Sequence, residues 1–522
     1  MAWGDPCHSL KGFVVPASSI GLPTMGARLD STKHVDGVHG GYCKALGEIK
    51  PIDPTADPIR FEVNLPETWN KKAVQFGGGA FDGYLGRSDG RHGTVMSVAG
   101  APTPLERGYA TFGSDSGHHH HYLFLPDELN AVSATFALNS EQRHNFAQDQ
   151  LKKTHDVSVA LIHERYSAGP ERMYFVGGST GGREALKVVQ NWPHDYDGVL
   201  AAYAAWNQIE SDLQFIRVSQ ALYAKGSKAE RGWVPKRKLK MLRNAVVEAC
   251  DAQDGLTDGM ISDPAACHFD PAVLQCADGS DDKKCLSAGQ LRTVHTFATA
   301  QVTEFPVANG MTSMPGYNAL AGADMTENMG LFRRPMHNPI VFLNAFYYVV
   351  GDGVLRYFLT RDKNFDALTF DVKAAGKWRA GVVEQSIEDD ASNADLSAFV
   401  ARGGKLLLVH GTVDATIPTN SSVDYYQRVV AKLGQEATDG FVRLYLIPGF
   451  SHEFGIFDAG FDSLTVLDDW ATKKAAPKDL TVTDKNKRSE GRTRPMCAYP
   501  RWPRYNGAGN ANLAGNFSCV TE

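Results

Sequence analysis

Between Arg172 and Leu186 the chain reads RMYFVGGSTGGREAL, an apolar run that enters a cluster of glycines and leaves as helix-forming residues. Met173, Tyr174, Phe175 and Val176 predict a buried strand, and Arg183 to Lys187 predict a helix. Such a strand–glycine–helix unit belongs in an α/β sheet, where it serves one of two chemistries. A phosphate-cradling loop needs G-x-x-x-x-G-K followed by Ser or Thr. Gly177 and Gly182 have that spacing, but Arg183 and Glu184 stand where the lysine and the hydroxyl are required. The other template, G-x-S-x-G, is matched by Gly177-Gly178-Ser179-Thr180-Gly181. Its small neighbours permit a sharp turn that lifts the serine hydroxyl above the sheet. The N–H of Thr180, at the helix start, then faces a developing oxyanion.

A serine nucleophile needs a base and a carboxylate that holds the base. In α/β-hydrolases they follow in the chain order serine, acid, histidine, each after a core strand. The apolar run Leu406–Val409 leads into His410-Gly411-Thr412-Val413-Asp414, and Leu444–Ile447 leads into Pro448-Gly449-Phe450-Ser451-His452. Asp414 and His452 complete the order as acid and base. His410 precedes the acid and reads as structural. A second oxyanion donor is expected from Gly77-Gly78-Gly79, after the run Ala73–Phe76, with Gly79 as the donating residue.

The chain has 522 residues, too many for one simple core, so a large domain with an insertion is expected. Its 53 basic and 59 acidic residues give a net charge of −6, which makes no electrostatic case for nucleic acid. No apolar stretch reaches the ~18 residues of a membrane helix. Eight cysteines with no CxxC and no zinc spacing predict short-range disulfides: Cys7–Cys43, Cys250–Cys267, Cys276–Cys285 and Cys497–Cys519. Disulfides imply a secreted or periplasmic protein. The start MAWGDPC has no basic and apolar leader, so the sequence reads as a mature form without its signal peptide.

Strand and helix patterns alternate up to about residue 205 and resume from 392. Between them, 206–391 carries helical patterns, irregular loops with four cysteines, and many aromatics. The expected organisation is a core in two parts, 1–205 and 392–522, with an inserted lid at 206–391. Trp206, Phe215, Trp233, Phe332, Phe346 and Tyr347 could stack on an aromatic ligand, although most such residues are simply core. Arg333 and Arg334 could hold a carboxylate. Within the insertion, CDAQDGLTDGMISD from Cys250 to Asp263 is rich in oxygen ligands and suits a hard cation such as calcium. A solvated acidic turn is the plain alternative. His118 to His121 cannot all face one ion. They read as an exposed loop near the rim of the site, with His118 structural.

These residues together resemble the tannase and feruloyl esterase family, which includes the mono(2-hydroxyethyl) terephthalate hydrolases. The resemblance rests on Gly77–Gly79, Ser114-Asp115-Ser116-Gly117-His118, Gly177 to Arg183, Asp195-Tyr196-Asp197-Gly198-Val199, the Cys250–Cys267 segment and Pro448 to His452. It implies an α/β-hydrolase core with a large lid inserted between nucleophile and acid, and hydrolysis of aromatic-acid esters through an acyl-enzyme. It also implies a structural calcium ion in the lid, with Asp251, Asp254 and Asp258 giving carboxylates and Leu256 and Met260 giving carbonyls. The family usually joins its two catalytic loops by a disulfide between the residue before the serine and the residue after the histidine. Gly178 and Glu453 occupy those places here.

The expected protein is therefore a serine carboxylesterase acting on a small aromatic ester. Ser179 is its nucleophile, His452 its base, Asp414 its acid, and Thr180 and Gly79 its oxyanion donors, with no organic cofactor. The same triad would serve an acyltransferase or a hydrolase of another bond. A non-catalytic binding protein would be expected to have lost a triad member.

Overall fold

A computed structural model describes residues 7–521 apart from 38–39, 87, 92–95, 120–132, 278–279 and 490. His120 and His121 thus lie outside the described residues. The centre of the molecule is a ten-stranded sheet: β1 (Val14–Val15), β2 (Ala27–Val35), β3 (Tyr42–Ile49), β4 (Ile59–Pro66), β5 (Lys72–Phe76), β6 (Ala110–Ser114), β7 (Arg172–Gly178), β8 (Gly198–Ala202), β9 (Lys405–Gly411) and β10 (Val442–Ile447). Their spatial order is β1-β2-β3-β4-β6-β5-β7-β8-β9-β10. β1 to β4 and the β4–β6 pair are antiparallel, and from β6 through β5 to β10 every pair is parallel.

The burial patterns follow from this arrangement. β3 alternates half-buried and buried residues, as a strand with one covered face should. β7 is buried almost throughout, because parallel strands are covered on both faces. Met173 and Phe175 point into one apolar layer and Tyr174 and Val176 into the other; Leu406 and Leu408 are likewise separated from Leu407 and Val409. Helices α1 (Gln150–Tyr166) and α2 (Thr180–Asn191) pack on the sheet. This is the α/β-hydrolase core that the sequence predicts.

β8 pairs with β9 from Gly198↔Lys405 to Ala202↔Val409, although the whole inserted segment separates them in the chain. The insertion carries α3 (Gln208–Leu222), α4 (Lys236–Cys250), α5 (Ala288–Ala298), α6 (Phe346–Gly353) and α7 (Arg379–Asp389). It is bound firmly to the core. The fully buried Arg183 of α2 donates to the carbonyls of Phe146, Ala147 and Asp389 at 2.9, 3.1 and 3.0 Å. Gln190 donates to Ala391 O at 2.7 Å, and Trp206 Nε1 donates to Ser421 O at 3.0 Å. Trp206, Phe215 and Tyr347 are buried in the main core, so they hold the insertion together instead of offering a surface. Phe346 and Trp233 pack partly buried against the same core. All four expected disulfides are present. Among the described residues, no helix is long and apolar enough to cross a membrane.

Candidate active site

Ser179 sits between β7 and α2 with φ 58° and ψ −122°, a backbone conformation that costs a non-glycine residue on the order of 1–3 kcal/mol. The surroundings fix it there. Its N–H donates to Ala202 O at 3.0 Å, while its carbonyl accepts from Arg183 N at 3.1 Å and Ala205 N at 3.0 Å. The turn is possible only because of its glycines. A Cβ on Gly181 would lie 2.6 Å from Gly78 O, and one on Gly182 would lie 2.7 Å from Ala204 Cα. Thr180 is the first residue of α2, so its N–H has no partner within the helix and is free to bind an oxyanion.

β9 and β10 bring up the other two groups. His452 Nε2 accepts from the Ser179 hydroxyl at 2.9 Å, and His452 Nδ1–H donates to Asp414 Oδ2 at 2.8 Å. Asp414 Oδ1 accepts from Thr416 N at 2.7 Å and Ile417 N at 2.9 Å. Burial alone would raise the Asp414 carboxyl, but the charges and hydrogen bonds of His452 and His410 hold it well below the usual carboxylate range. Burial opposes a charged His452, yet Asp414 first, then Glu453 and Glu327, outweigh it and raise the imidazole above its ordinary value.

Two of these groups were not expected as participants. His410 is completely buried and touches Asp414, and Glu327 reaches the histidine loop from the insertion. Ser451 Oγ donates to Glu327 Oε2 at 2.7 Å. The insertion also grips the acid loop. Asn318 donates to Thr412 O at 2.8 Å, Asn328 to Ala415 O at 2.8 Å, and Tyr347 OH to Ala415 O at 2.7 Å.

The Gly77–Gly79 loop runs beside the start of α2. Thr180 Oγ1 donates to Ala80 O at 2.6 Å, and Gly78 N donates to Glu184 Oε2 at 2.9 Å. Asp82 N donates to Gly79 O at 2.8 Å, which closes the loop in a tight turn.

The family model for tannase and feruloyl esterase matches residues 43–520, nearly the whole chain. The chain belongs to the tannase and feruloyl esterase family. With it, the protein belongs among the carboxylic ester hydrolases. This esterase is 35% identical to an uncharacterized esterase of Agrobacterium fabrum, over 99% of this chain and 93% of the relative. It is 29% identical to the mono(2-hydroxyethyl) terephthalate hydrolase of Piscinibacter sakaiensis, over 92% of this chain and 85% of the relative. In fold it is similar to the crystal structure of feruloyl esterase B from Aspergillus oryzae, with a TM-score of 0.79 and 23% identity across 99% of this chain and 100% of that one.

The oxygen-rich loop of the esterase starts where α4 ends, and the Cys250–Cys267 bridge closes it. Asp251 Oδ2 accepts from Gly259 N at 2.8 Å, Asp254 accepts from Leu256 N and Ser262 N at 3.1 Å each, and Asp258 accepts from Met260 N at 3.1 Å. Arg494 donates to the second Asp258 oxygen at 2.6 Å. Asp251 Oδ1 is buried without a hydrogen-bond partner. Burial raises the carboxyls of Asp251 and Asp254 from their ordinary value. The residue types suit a hard cation, but the ligand atoms of Asp251, Asp254 and Asp258 do not converge, and both Asp258 oxygens already accept, from Met260 N and from Arg494. The Met260 side chain is itself buried and packs on Gly449, linking this loop to the histidine loop.

His118 is buried, not exposed. Its Nε2–H donates to Phe81 O at 2.7 Å, and its ring stacks on Phe136 at 3.6 Å. Arg333 and Arg334 line a cleft of about 820 Å³ with Trp233, and none of the triad residues borders that cleft.

Proposed function

We propose that this esterase hydrolyses esters of aromatic carboxylic acids through an acyl-enzyme, outside the cytoplasm. The observation that carries the reading is the continuous chain Ser179 Oγ–His452–Asp414, at 2.9 and 2.8 Å. His452 takes the serine proton as Ser179 attacks the ester carbonyl, and the Asp414 carboxylate stabilises the imidazolium that forms. The oxyanion is held by the Thr180 N–H and the Gly79 loop. Collapse of the tetrahedral adduct breaks the bond to the alcohol, which leaves with the proton from His452. A water molecule, activated by the same base, then frees the acid. An aromatic acyl group is supported by the names of the relatives. It is supported too by Phe454, two residues beyond His452, which is 69% exposed and offers an apolar face. The four disulfides support export.

The same reading includes a calcium ion held by the carboxylates of Asp251, Asp254 and Asp258 with the carbonyls of Leu256 and Met260. When bound, it neutralises buried charge and orders the loop. Turnover of a panel of galloyl, feruloyl, benzoyl and terephthaloyl esters beside aliphatic esters of the same alcohols tests the substrate class. At least one aromatic ester should have a kcat/KM well above its aliphatic counterpart. Preference for aliphatic esters throughout would overturn it.

A further inference from the structure

A chain with a net charge of −6 gathers six cations around one cleft of its insertion. Lys225, Lys228, Arg231, Arg237, Arg333 and Arg334 border this space of about 820 Å³, and all six are exposed. Asp281 is the one carboxylate among its described neighbours, and the buried Lys238 already holds it at 2.6 Å. Among the described residues none of the six cations is paired with a carboxylate. Like charges around a concavity repel one another and focus a positive potential into it, which an anion would relieve.

The floor of the cleft is aromatic. Trp233 is half-buried and stacks on Tyr223, with ring centroids 5.7 Å apart, and Tyr223 meets Tyr348 edge-on at 5.2 Å. Tyr223 and Lys225 also border a second hollow of about 480 Å³ that reaches Tyr348, so the two spaces join into one groove. In that second part Arg356 is paired with Asp352 at 3.1 Å and Asp366 is present, so the uncompensated charge lies in the first. The walls are tied to the floor. Tyr223 OH accepts from Ala345 N at 3.2 Å and from Asn344 Nδ2 at 3.3 Å, and Asn344 also donates to Arg334 O at 3.0 Å. A groove held in this way loses little freedom when it is filled.

We propose that this groove binds an acidic polysaccharide, a chain of pyranose rings bearing carboxylates, at a place separate from the triad. Its carboxylates meet the lysine and arginine heads, the arginines as two-pronged donors. The apolar face of one ring lies on Trp233. Six cations along an extended groove suit a chain of charges better than one compact anion. Single-stranded nucleic acid is the competing polyanion, but its bases stack on open aromatic faces. Tyr223 and Tyr348, at 7% and 3% exposure, offer none. The choice of partner rests on the reading of export above, since such polymers lie outside the cytoplasm, and not on the hydrolytic steps.

Fluorescence anisotropy with end-labelled oligomers measures binding to the whole enzyme at low and at physiological salt. The probes are oligogalacturonate, a neutral maltodextrin, polyglutamate and oligothymidylate, all of equal length. Oligogalacturonate should bind most tightly, polyglutamate more weakly for want of rings, and maltodextrin not measurably. Lys228→Glu combined with Arg333→Glu should weaken oligogalacturonate binding at least ~10-fold and flatten its salt dependence. Lys11→Glu combined with Lys33→Glu makes the same change in net charge at exposed positions outside the groove, and should alter binding by less than about 3-fold. Thermal unfolding checks that both double variants are folded. Absence of binding, binding of polyglutamate or maltodextrin as tight as that of oligogalacturonate, tighter binding of oligothymidylate, or an equal loss in the two double variants would each overturn the proposal. The assay involves no turnover, so an enzyme inactive on every ester would overturn the hydrolytic reading alone. Recovery of the enzyme only from the cytoplasm of its source cells would overturn the export reading, which fractionation measures separately.

Discussion

His410 Nε2 lies 3.1 Å from Asp414 Oδ2, the oxygen that also receives the His452 Nδ1–H. The same nitrogen lies 3.1 Å from the Ile417 carbonyl, and both partners are acceptors, so Nε2 carries the proton. Nδ1 then accepts from Ser422 OH at 2.7 Å. The catalytic acid is thus held by four donors, two backbone and two imidazole.

His410→Ala should therefore weaken catalysis without abolishing it. It removes one of four restraints on Asp414 and leaves Ser422 without its acceptor, which costs ~1–3 kcal/mol in a buried site. kcat should fall far less than in Asp414→Asn, with a measurable drop in melting temperature. A variant as inactive as Asp414→Asn yet fully stable would show that His410 takes part directly.

The triad itself makes a sharper demand. Ser179→Ala and His452→Ala should each remove nearly all turnover in folded protein. Asp414→Asn should reduce kcat by roughly 10⁴-fold, because an amide favours the wrong imidazole tautomer. Steady-state kinetics with fluorophosphonate labelling measures all three.

The pH profile should carry the signature of the crowded base. His452 must be neutral to accept the serine proton, and its neighbours raise its pKa. kcat/KM should thus rise with pH through a midpoint above the ordinary histidine value of 6.5. Removing a nearby negative charge destabilises the imidazolium, so Glu453→Gln and Glu327→Gln should each move that midpoint to lower pH. Both glutamates are exposed, so added salt should weaken both effects.

Much of this machinery was legible in the sequence because it is local. Apolar strands running straight into Gly177–Gly181, Asp414 and His452 each announce themselves within about ten residues. β5, β7, β8, β9 and β10 were readable for the same reason. β2 was not, since ARLDSTKHV is mostly polar and largely exposed, and β3, YCKALGEI, has one buried face only. Glu327 was equally invisible. Ser451 and Glu327 are 124 residues apart, and no spacing rule brings them together. His410 was visible as a residue, but its role depends on a bend after β9 that returns Asp414 to its side.

Calcium should show itself through stability. Enzyme purified without chelator should contain about one calcium per chain, measured by metal analysis. Its removal should lower the melting temperature more than it lowers kcat, with some loss of activity transmitted from Met260 to Gly449 in the histidine loop. Full calcium content in Asp254→Ala would place the ion elsewhere.

Mild reductant should leave turnover largely intact. None of the four disulfides involves a triad residue or its neighbours, and Gly178 and Glu453 carry no link between the catalytic loops. Alignment of His452 with Ser179 rests on packing and on Asp414. Rapid loss of activity ahead of unfolding would contradict this.

The insertion between β8 and β9 also sets a timetable for synthesis. β8 is complete at Ala202, but its sheet neighbour β9 begins only at Lys405. At ~5–20 residues per second, the ribosome takes roughly ten to forty seconds to supply it. Throughout that interval β8 is an apolar edge with its backbone unpaired, the kind of surface that recruits other chains. The helices of the insertion form from local contacts and can fold meanwhile. Ser179 is therefore made early and armed late, since neither Asp414 nor His452 exists until the sheet can close. An ester hydrolase arranged in this order is inert on the ribosome, and its yield in a foreign host should depend more on chaperones for that waiting edge than on the stability of the finished fold.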